Sequence, residues 1–267
     1  MNQKKRKYAL ILGATGSFGL ASAKILSKKG FDLILVYREL KSSLEIIKPE
    51  INKLKEKSDV LEFNLNIIDE DNQMRVIEEL KKSSKIRNNI SFLLHSIADG
   101  NLNTMFASED NPDRKLYLQD FQHTIDSMGT SLYKWTDLLL QNDLFSSNAS
   151  VLGLTSEGTK MVLKDYAAVA AAKSVMESNV KYMAIELADK GIRTNLINAG
   201  ITDSKALKVF PDYDSFIEKA KQRNPNKRLT TAEDVAKVIA FMASEESEWI
   251  NGSIINVDGG EQLLSIY

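Results

Sequence analysis

The sequence predicts an α/β fold, a doubly wound sheet of about seven parallel strands with helices on both faces. Three observations predict it. Short apolar runs rich in β-branched residues alternate with longer amphipathic stretches, the rhythm of βαβ units. No Pro/Gly-rich linker, low-complexity tract or internal repeat interrupts that rhythm, so residues 1–267 read as a single domain. With 43% hydrophobic residues, the chain also has enough apolar material to bury one sizeable core.

The first strand is expected at 8–12, where five apolar residues stop at Gly13, too few for a helix. A helix follows at 18–29, mixing Ala, Leu and Ile with Ser and Lys. The second strand, 31–37, is the run from Leu33 to Tyr37 behind Phe31. The helix at 44–57 carries Leu44, Ile47, Ile51 and Leu54 at helical spacing. Strand three falls at 60–65, a helix at 71–83 on Val76, Ile77 and Leu80, and strand four at 90–96 on Phe92, Leu93 and Leu94. A helical pattern spans 118–140, a strand 150–155, and an Ala-rich helix 164–189. Strands at 193–198 and 253–257 enclose a last helix at 231–243. The stretches 100–115 and 204–226 receive no element. Both follow strand C-terminal ends, the edge of an open α/β sheet where ligands bind.

Charge is balanced, with 35 Lys plus Arg against 36 Asp plus Glu, so no global field draws nucleic acid or a membrane surface. Function is expected in a local site. The absence of cysteine excludes disulfides, thiolate-held zinc and a cysteine nucleophile, and fits a reducing compartment. Two histidines exclude a His-rich metal site, so no metal is expected. Residues 1–7 form a basic N-terminal extension, but the apolar run behind it is too short for a signal peptide and no span reaches transmembrane length. A cytoplasmic soluble protein is the expectation.

Gly13-Ala14-Thr15-Gly16-Ser17-Phe18-Gly19 stands between the first strand and its helix. Glycines there permit a tight turn and let backbone N–H groups approach a pyrophosphate at the helix's positive end. Gly13, Thr15, Gly16, Ser17, Phe18 and Gly19 are therefore candidate cofactor contacts in a Rossmann-type fold. After the second strand, where an NAD-selective site places an acid on the ribose 2′-hydroxyl, Arg38 comes first. A guanidinium can hold a 2′-phosphate bidentately, which favours NADPH over NADH. Glu39 is a competing acid, and a solvated arginine beside Lys41 is the plainer alternative. At the end of the third strand, Asn64 and Leu65 stand where such folds use a polar contact at the adenine edge. A simple loop asparagine is an equal alternative.

Tyr166 and Lys173 are two helical turns apart, on one face, with the tyrosine about 10 Å nearer the N-terminal end. A phenol can hydrogen-bond an oxygen that becomes anionic. A nearby ammonium can lower the phenol's pKa and hold ribose hydroxyls. His123, on a polar stretch, is expected to be solvated. Tyr133, Trp135, Met161 and Met183 are expected in the core or at subunit contacts.

From Tyr166 and Lys173 through Tyr182-Met183-Ala184, Gly191-Ile192-Arg193-Thr194-Asn195, Asn198-Ala199-Gly200 and Val257-Asp258-Gly259-Gly260, the chain resembles the short-chain dehydrogenase/reductase family. Most of that family places three residues between its catalytic Tyr and Lys. This chain has six, and in this and in His95-Ser96-Ile97 it is similar to the enoyl-acyl-carrier-protein reductase branch. Ala206-Leu207-Lys208-Val209-Phe210-Pro211 resembles the NADPH-using, triclosan-tolerant bacterial type. The resemblance implies cofactor contacts at Ser96, Ile97, Ala98, Lys173, Gly200, Thr202 and Ser204, and places His95 beneath the cofactor in a packing role rather than as a general acid. Ser156 falls where the best-known enoyl reductases carry a second tyrosine and ordinary ketoreductases their catalytic serine. It is a candidate third catalytic residue, hydrogen-bonding substrate, or else a structural strand-end serine. Asp126 lies where an ordinary member has its helix asparagine, and Ser17 at a glycine common in such members.

The function so implied is reduction of the trans-2 double bond of an enoyl thioester, on acyl carrier protein or CoA, by NADPH in fatty-acid or related biosynthesis. Tyr166 would stabilise the enolate oxygen and Lys173 would fix the nicotinamide ribose. Residues 206–221, within a lid region 204–226, would close over the acyl chain. The small and apolar residues of helix 164–189 imply a homotetramer or homodimer. Two alternatives remain: a carbonyl reductase of secondary metabolism, favoured by Ser156 and disfavoured by the wide Tyr–Lys spacing, and a non-catalytic NADP(H)-sensing protein, which would need neither Tyr166 nor Lys173.

Overall fold

Successive residues of a strand point to opposite faces of its sheet, and here both faces are dry. In β1 (Tyr8–Leu12), Ala9 and Ile11 join one buried cluster while Tyr8, Leu10 and Leu12 join another. A strand buried on both sides belongs inside a parallel sheet covered by helices on each face. The structure, a computed structural model, describes residues 6–109, 113–204, 207 and 213–264. The remaining strands are β2 (Asp32–Tyr37), β3 (Val60–Asn64), β4 (Ile90–His95), β5 (Phe145–Thr155), β6 (Ile192–Ala199) and β7 (Ile254–Val257). They pair, all parallel, in the order β3-β2-β1-β4-β5-β6-β7. The chain therefore builds outward from β1 to β3, then returns to lay β4 on the other side of β1. That reversal opens a crevice at the strands' C-terminal ends.

The helices are α1 (Ser17–Lys28), α2 (Lys41–Lys55), α3 (Glu70–Lys81), α4 (Leu118–Ile125), α5 (Ser131–Gln141), α6 (Ala167–Glu186), α7 (Tyr213–Arg223) and α8 (Ala232–Met242). Leu26 of α1, Ile51 of α2 and Ile239 of α8 pack on the face of Ile11 and Leu35. Ile77 of α3, Trp135 of α5 and Met176 of α6 pack on the face of Leu10 and Val36. Trp135 is wholly buried and donates from Nε1 to Ile67 O at 3.0 Å, and Met183 is buried too, whereas Tyr133 and Met161 are exposed. Arg6, the described end of the basic extension, bonds Gly30 O and Lys57 O and so ties down the start of the sheet.

Four elements differ from expectation. The helix expected over 118–140 is broken by a π-helical turn at Asp126–Thr130, which turns Ser127 and Ser131 inward. Gly129 lies in that turn, where a Cβ would stand 2.9 Å from Ala172 O, so α6 presses directly on it. β5 starts at Phe145, five residues early: Phe145 pairs with Ile90 ahead of an irregularity in the ladder, and the polar residues 146–148 between fall outside the apolar pattern. The helix expected from 164 starts at Ala167, since Asp165 has φ 61 and Tyr166 is the N-cap. α7 arises in a stretch read as loop. Only Ile217 and Ala220 of it are buried, too few apolar positions to register as periodic.

Candidate active site

Two adjoining hollows occupy the crevice, of about 410 and about 520 Å³, and Phe18, Ser96, Ile97, Ala98 and Ser204 border both. The smaller begins at the glycine turn. Gly13 has φ 81, and a Cβ on it would stand 2.2 Å from Ser96 O, so only glycine lets β1 pass this close to the end of β4. Gly16 is the N-cap of α1 and supplies no side-chain cap. The helix's first N–H groups are thus left to the hollow that Thr15, Gly16 and Ser17 line, an arrangement that suits a phosphate. Gly19 lines neither hollow. Its missing Cβ would meet Gly13 O at 2.2 Å, so it serves the packing of α1 on the turn.

Arg38 and Leu65 line the smaller hollow. Arg38 Nη2 donates to Asp99 Oδ1 at 3.3 Å, and Asp99 Oδ2 also lies 3.4 Å from His123 Nε2, whose side chain stays partly open to solvent as expected. Asn64 is placed differently from the adenine-edge expectation. Its Oδ1 accepts from Glu39 N at 2.9 Å and its Nδ2 donates to Glu39 O at 3.0 Å, which fixes the turn after β2 and leaves Leu65, Asn66 and Ile67 as the hollow's edge.

The larger hollow gathers Ser156 from the end of β5, Tyr166 from the head of α6, Lys173 two turns along, and Gly200 and Thr202 after β6. The Tyr166 hydroxyl lies 3.1 Å from Ser156 Oγ. Burial pushes the Tyr166 phenol up, with the Ser156 hydrogen bond lowering it and the Glu157 charge raising it. Burial thus governs, and the phenol is a neutral donor. Burial also brings the Lys173 ammonium down to about 7, against the charge of Glu177 one turn on. Among the described residues Lys173 Nζ has no hydrogen-bond or ion-pair partner, while Glu177 Oε1 accepts from Thr155 and Thr159. A buried, unpartnered ammonium on a cleft wall suits an oxygen-rich ligand.

His95 lies wholly buried below. The Ser131 hydroxyl donates to Ser127 O at 2.6 Å, so His95 Nε2 is the donor in its 2.6 Å contact with Ser131 Oγ. Burial and then the Lys173 charge hold the imidazole down at about 3, a neutral ring that packs rather than donates protons. Asp126 points away, accepting from Gln122 Nε2. Leu207 and Phe216 line the larger hollow, whereas 205–206 and 208–212, which carry most of the Ala206–Pro211 resemblance, lie outside the described residues.

Sequence reasoning did not single out a carboxylate cluster behind Ser156. Arg223 of α7 grips Glu157 bidentately at 2.8 and 2.6 Å, and burial pushes Glu261 up to about 7 while Ile201 N donates to it at 3.2 Å. Nothing in the sequence pairs residues so far apart. Among the described residues no His/Cys/Asp/Glu group could hold a metal ion, and no helix is long and apolar enough to cross a membrane.

The profile of the family described as Enoyl-(Acyl carrier protein) reductase matches residues 13–262. The chain is 27% identical over 264 residues to an enoyl-(acyl-carrier-protein) reductase (NADPH) of Staphylococcus aureus strain MRSA252, covering 97% of this chain and 98% of that one. It is 26% identical to an enoyl-(acyl-carrier-protein) reductase (NADH) of Rickettsia prowazekii, covering 97% and 95%. The crystal structure of enoyl-(acyl-carrier-protein) reductase (NADH) from Aquifex aeolicus superposes with a TM-score of 0.84 at 24% identity over 98% of each chain, a likeness of fold. The chain thus belongs to the enoyl-(acyl carrier protein) reductase family, within the short-chain dehydrogenase/reductases.

Proposed function

We propose that this protein reduces the trans-2 carbon–carbon double bond of an enoyl thioester carried on acyl carrier protein, with NADPH as the reductant. The observation that carries the reading is the meeting of a neutral phenol and an unpartnered ammonium on the wall of one hollow that adjoins a helix-headed phosphate cradle. The open first turn of α1 fits a pyrophosphate, and Lys173 fits ribose hydroxyls. When bound, NADPH would supply a hydride for the β-carbon, and the resulting enolate would take a proton at the α-carbon to complete the reduction. Tyr166 then donates a hydrogen bond to the thioester oxygen as it gains enolate charge, which is where a preorganised donor is worth most. Lys173 orients the ribose, and its charge favours the same anion. Leu102, Leu163, Leu207 and Phe216 offer the acyl chain an apolar wall. Exposed Tyr182 and Ile185 on α6 are surface that a second copy would cover, in keeping with a homodimer or homotetramer.

Arg38 on the smaller hollow supports NADPH over NADH. Arg38→Glu is expected to raise the KM for NADPH by the equivalent of about 2–4 kcal/mol and that for NADH little, because it sets a like charge against the 2′-phosphate. Steady-state kinetics with both nucleotides checks this, and equal effects would contradict the assignment. One observation favours a second reading. Ser156 Oγ beside the Tyr166 hydroxyl is also the donor pair a carbonyl reductase needs.

A further inference from the structure

Tyr166 owes its position to the residue before it. Asp165 has φ 61, the left-handed region that a residue with a Cβ occupies at a cost, and there the chain turns into α6. The turn is held from the stretch between β4 and α4. Arg114 Nη2 donates to Asp165 Oδ2 at 2.5 Å, Asn103 N donates to Asp165 O at 3.0 Å, and Arg114 Nε donates to Asn103 Oδ1 at 3.2 Å, closing a ring. Thr104 Oγ1 bonds Arg114 O in turn. The same stretch gives Gly100, Asn101 and Leu102 to the hollow that Tyr166 lines. The Asp165 side chain is 1% exposed and that of Arg114 40%, so a guanidinium reaches in from the surface to a carboxylate inside. Buried charge pairs add little net stability. This one fixes the peptide from which the phenol projects.

Resting on the reading of Tyr166 as the enolate's donor, we propose that Asp165 and Arg114 are positioning residues for Tyr166, holding the left-handed turn that sets its hydroxyl beside Ser156 and tying it to the loop that walls the acyl site. Asp165→Gly is the informative variant, because glycine accepts φ 61 and keeps the carbonyl that Asn103 bonds while cutting the tie to Arg114. With crotonyl-CoA and NADPH its kcat is expected to fall about 10- to 100-fold, the scale on which a reacting group is misplaced by about an ångström. NADPH binding, read by nucleotide fluorescence, is expected to stay unchanged. Asp165→Asn keeps an oxygen for Arg114 and tolerates the left-handed region, so it is expected to recover most of kcat.

In a Tyr166→Phe background Asp165→Gly is expected to cost nothing further, since the device acts through the phenol alone. Arg114→Lys, which loses the two-pronged grip on Asp165 and Asn103, gives the same comparison if Asp165→Gly does not fold. Full kcat in the variants, or equal losses in both backgrounds, overturns the proposal while leaving Tyr166 as donor. A Tyr166→Phe enzyme with undiminished kcat overturns the reading of Tyr166 itself, and the role of the pair with it.

Discussion

Tyr166→Phe is expected to lower kcat for an enoyl thioester about 10²–10³-fold, the effect of removing one oxyanion donor worth about 2.7–4 kcal/mol. NADPH affinity should change little, because the lost bond is made to charge that exists only on the way to the enolate. The phenol is suited to this by its surroundings, since burial keeps it protonated and Ser156 lies 3.1 Å away to orient it. Single-turnover kinetics with tightly bound NADPH checks the split between binding and chemistry. Ser156→Ala is expected to cost less with enoyl substrates than with any ketone the enzyme accepts, as the enolate already has Tyr166. If Tyr166→Phe keeps full enoyl reduction and Ser156→Ala abolishes it, the roles are reversed.

Lys173→Met is the second large effect, and it should separate function from stability. Turnover and cofactor affinity are both expected to fall, because on the proposed reading one ammonium would serve the ribose and the developing anion. Combined with Tyr166→Phe, the loss should fall well short of the product of the single losses, as for groups acting as a unit. Stability should move the other way. Burial lowers the Lys173 pKa from 10.5 in the unfolded chain to about 7. Between those values the unfolded chain holds the extra proton, so stability rises with pH across that window and the charge is a burden below it. The unliganded Lys173→Met protein is therefore expected to melt no lower than wild type at pH 7, its methionine filling the space of the stem. The same titration predicts that kcat/KM for NADPH declines as pH rises through about 7 in wild type and not in the variant. A variant that melts well below wild type would show that Lys173 is structural.

The fold was legible because its central strands β1, β2 and β4 are buried on both faces. Runs such as Leu33 to Tyr37 and Phe92 to Leu94 in the central strands have no amphipathic alternative, and such runs alternating with helices leave little choice of architecture. The turn of Gly13 to Gly19 and the spacing of Tyr166 and Lys173 were legible because each lies within one local segment. What escaped was set at long range. The π turn at Asp126–Thr130 answers to α6 pressing on Gly129, and Arg223 meets Glu157 from 66 residues away. Asn64 looked like a ligand contact because of its position, but its amide is turned to Glu39 by a hydrogen-bond pair that only the folded β2–β3 edge creates. The burial of Tyr166 escaped for a related reason. A charge seven positions away is visible in a sequence, whereas the burial that pushes the phenol up is not.

On the proposed reading, the larger hollow reduces an enoyl thioester. The most direct test follows NADPH oxidation by the purified protein at saturating crotonyl thioester and, separately, acetoacetyl thioester, each on acyl carrier protein. The arrangement of Tyr166, Ser156 and Lys173 predicts turnover of the crotonyl substrate to the butyryl product, with acetoacetyl reduction slower by a wide margin. Rapid reduction of the acetoacetyl thioester with the crotonyl thioester untouched would contradict it and make the protein a carbonyl reductase.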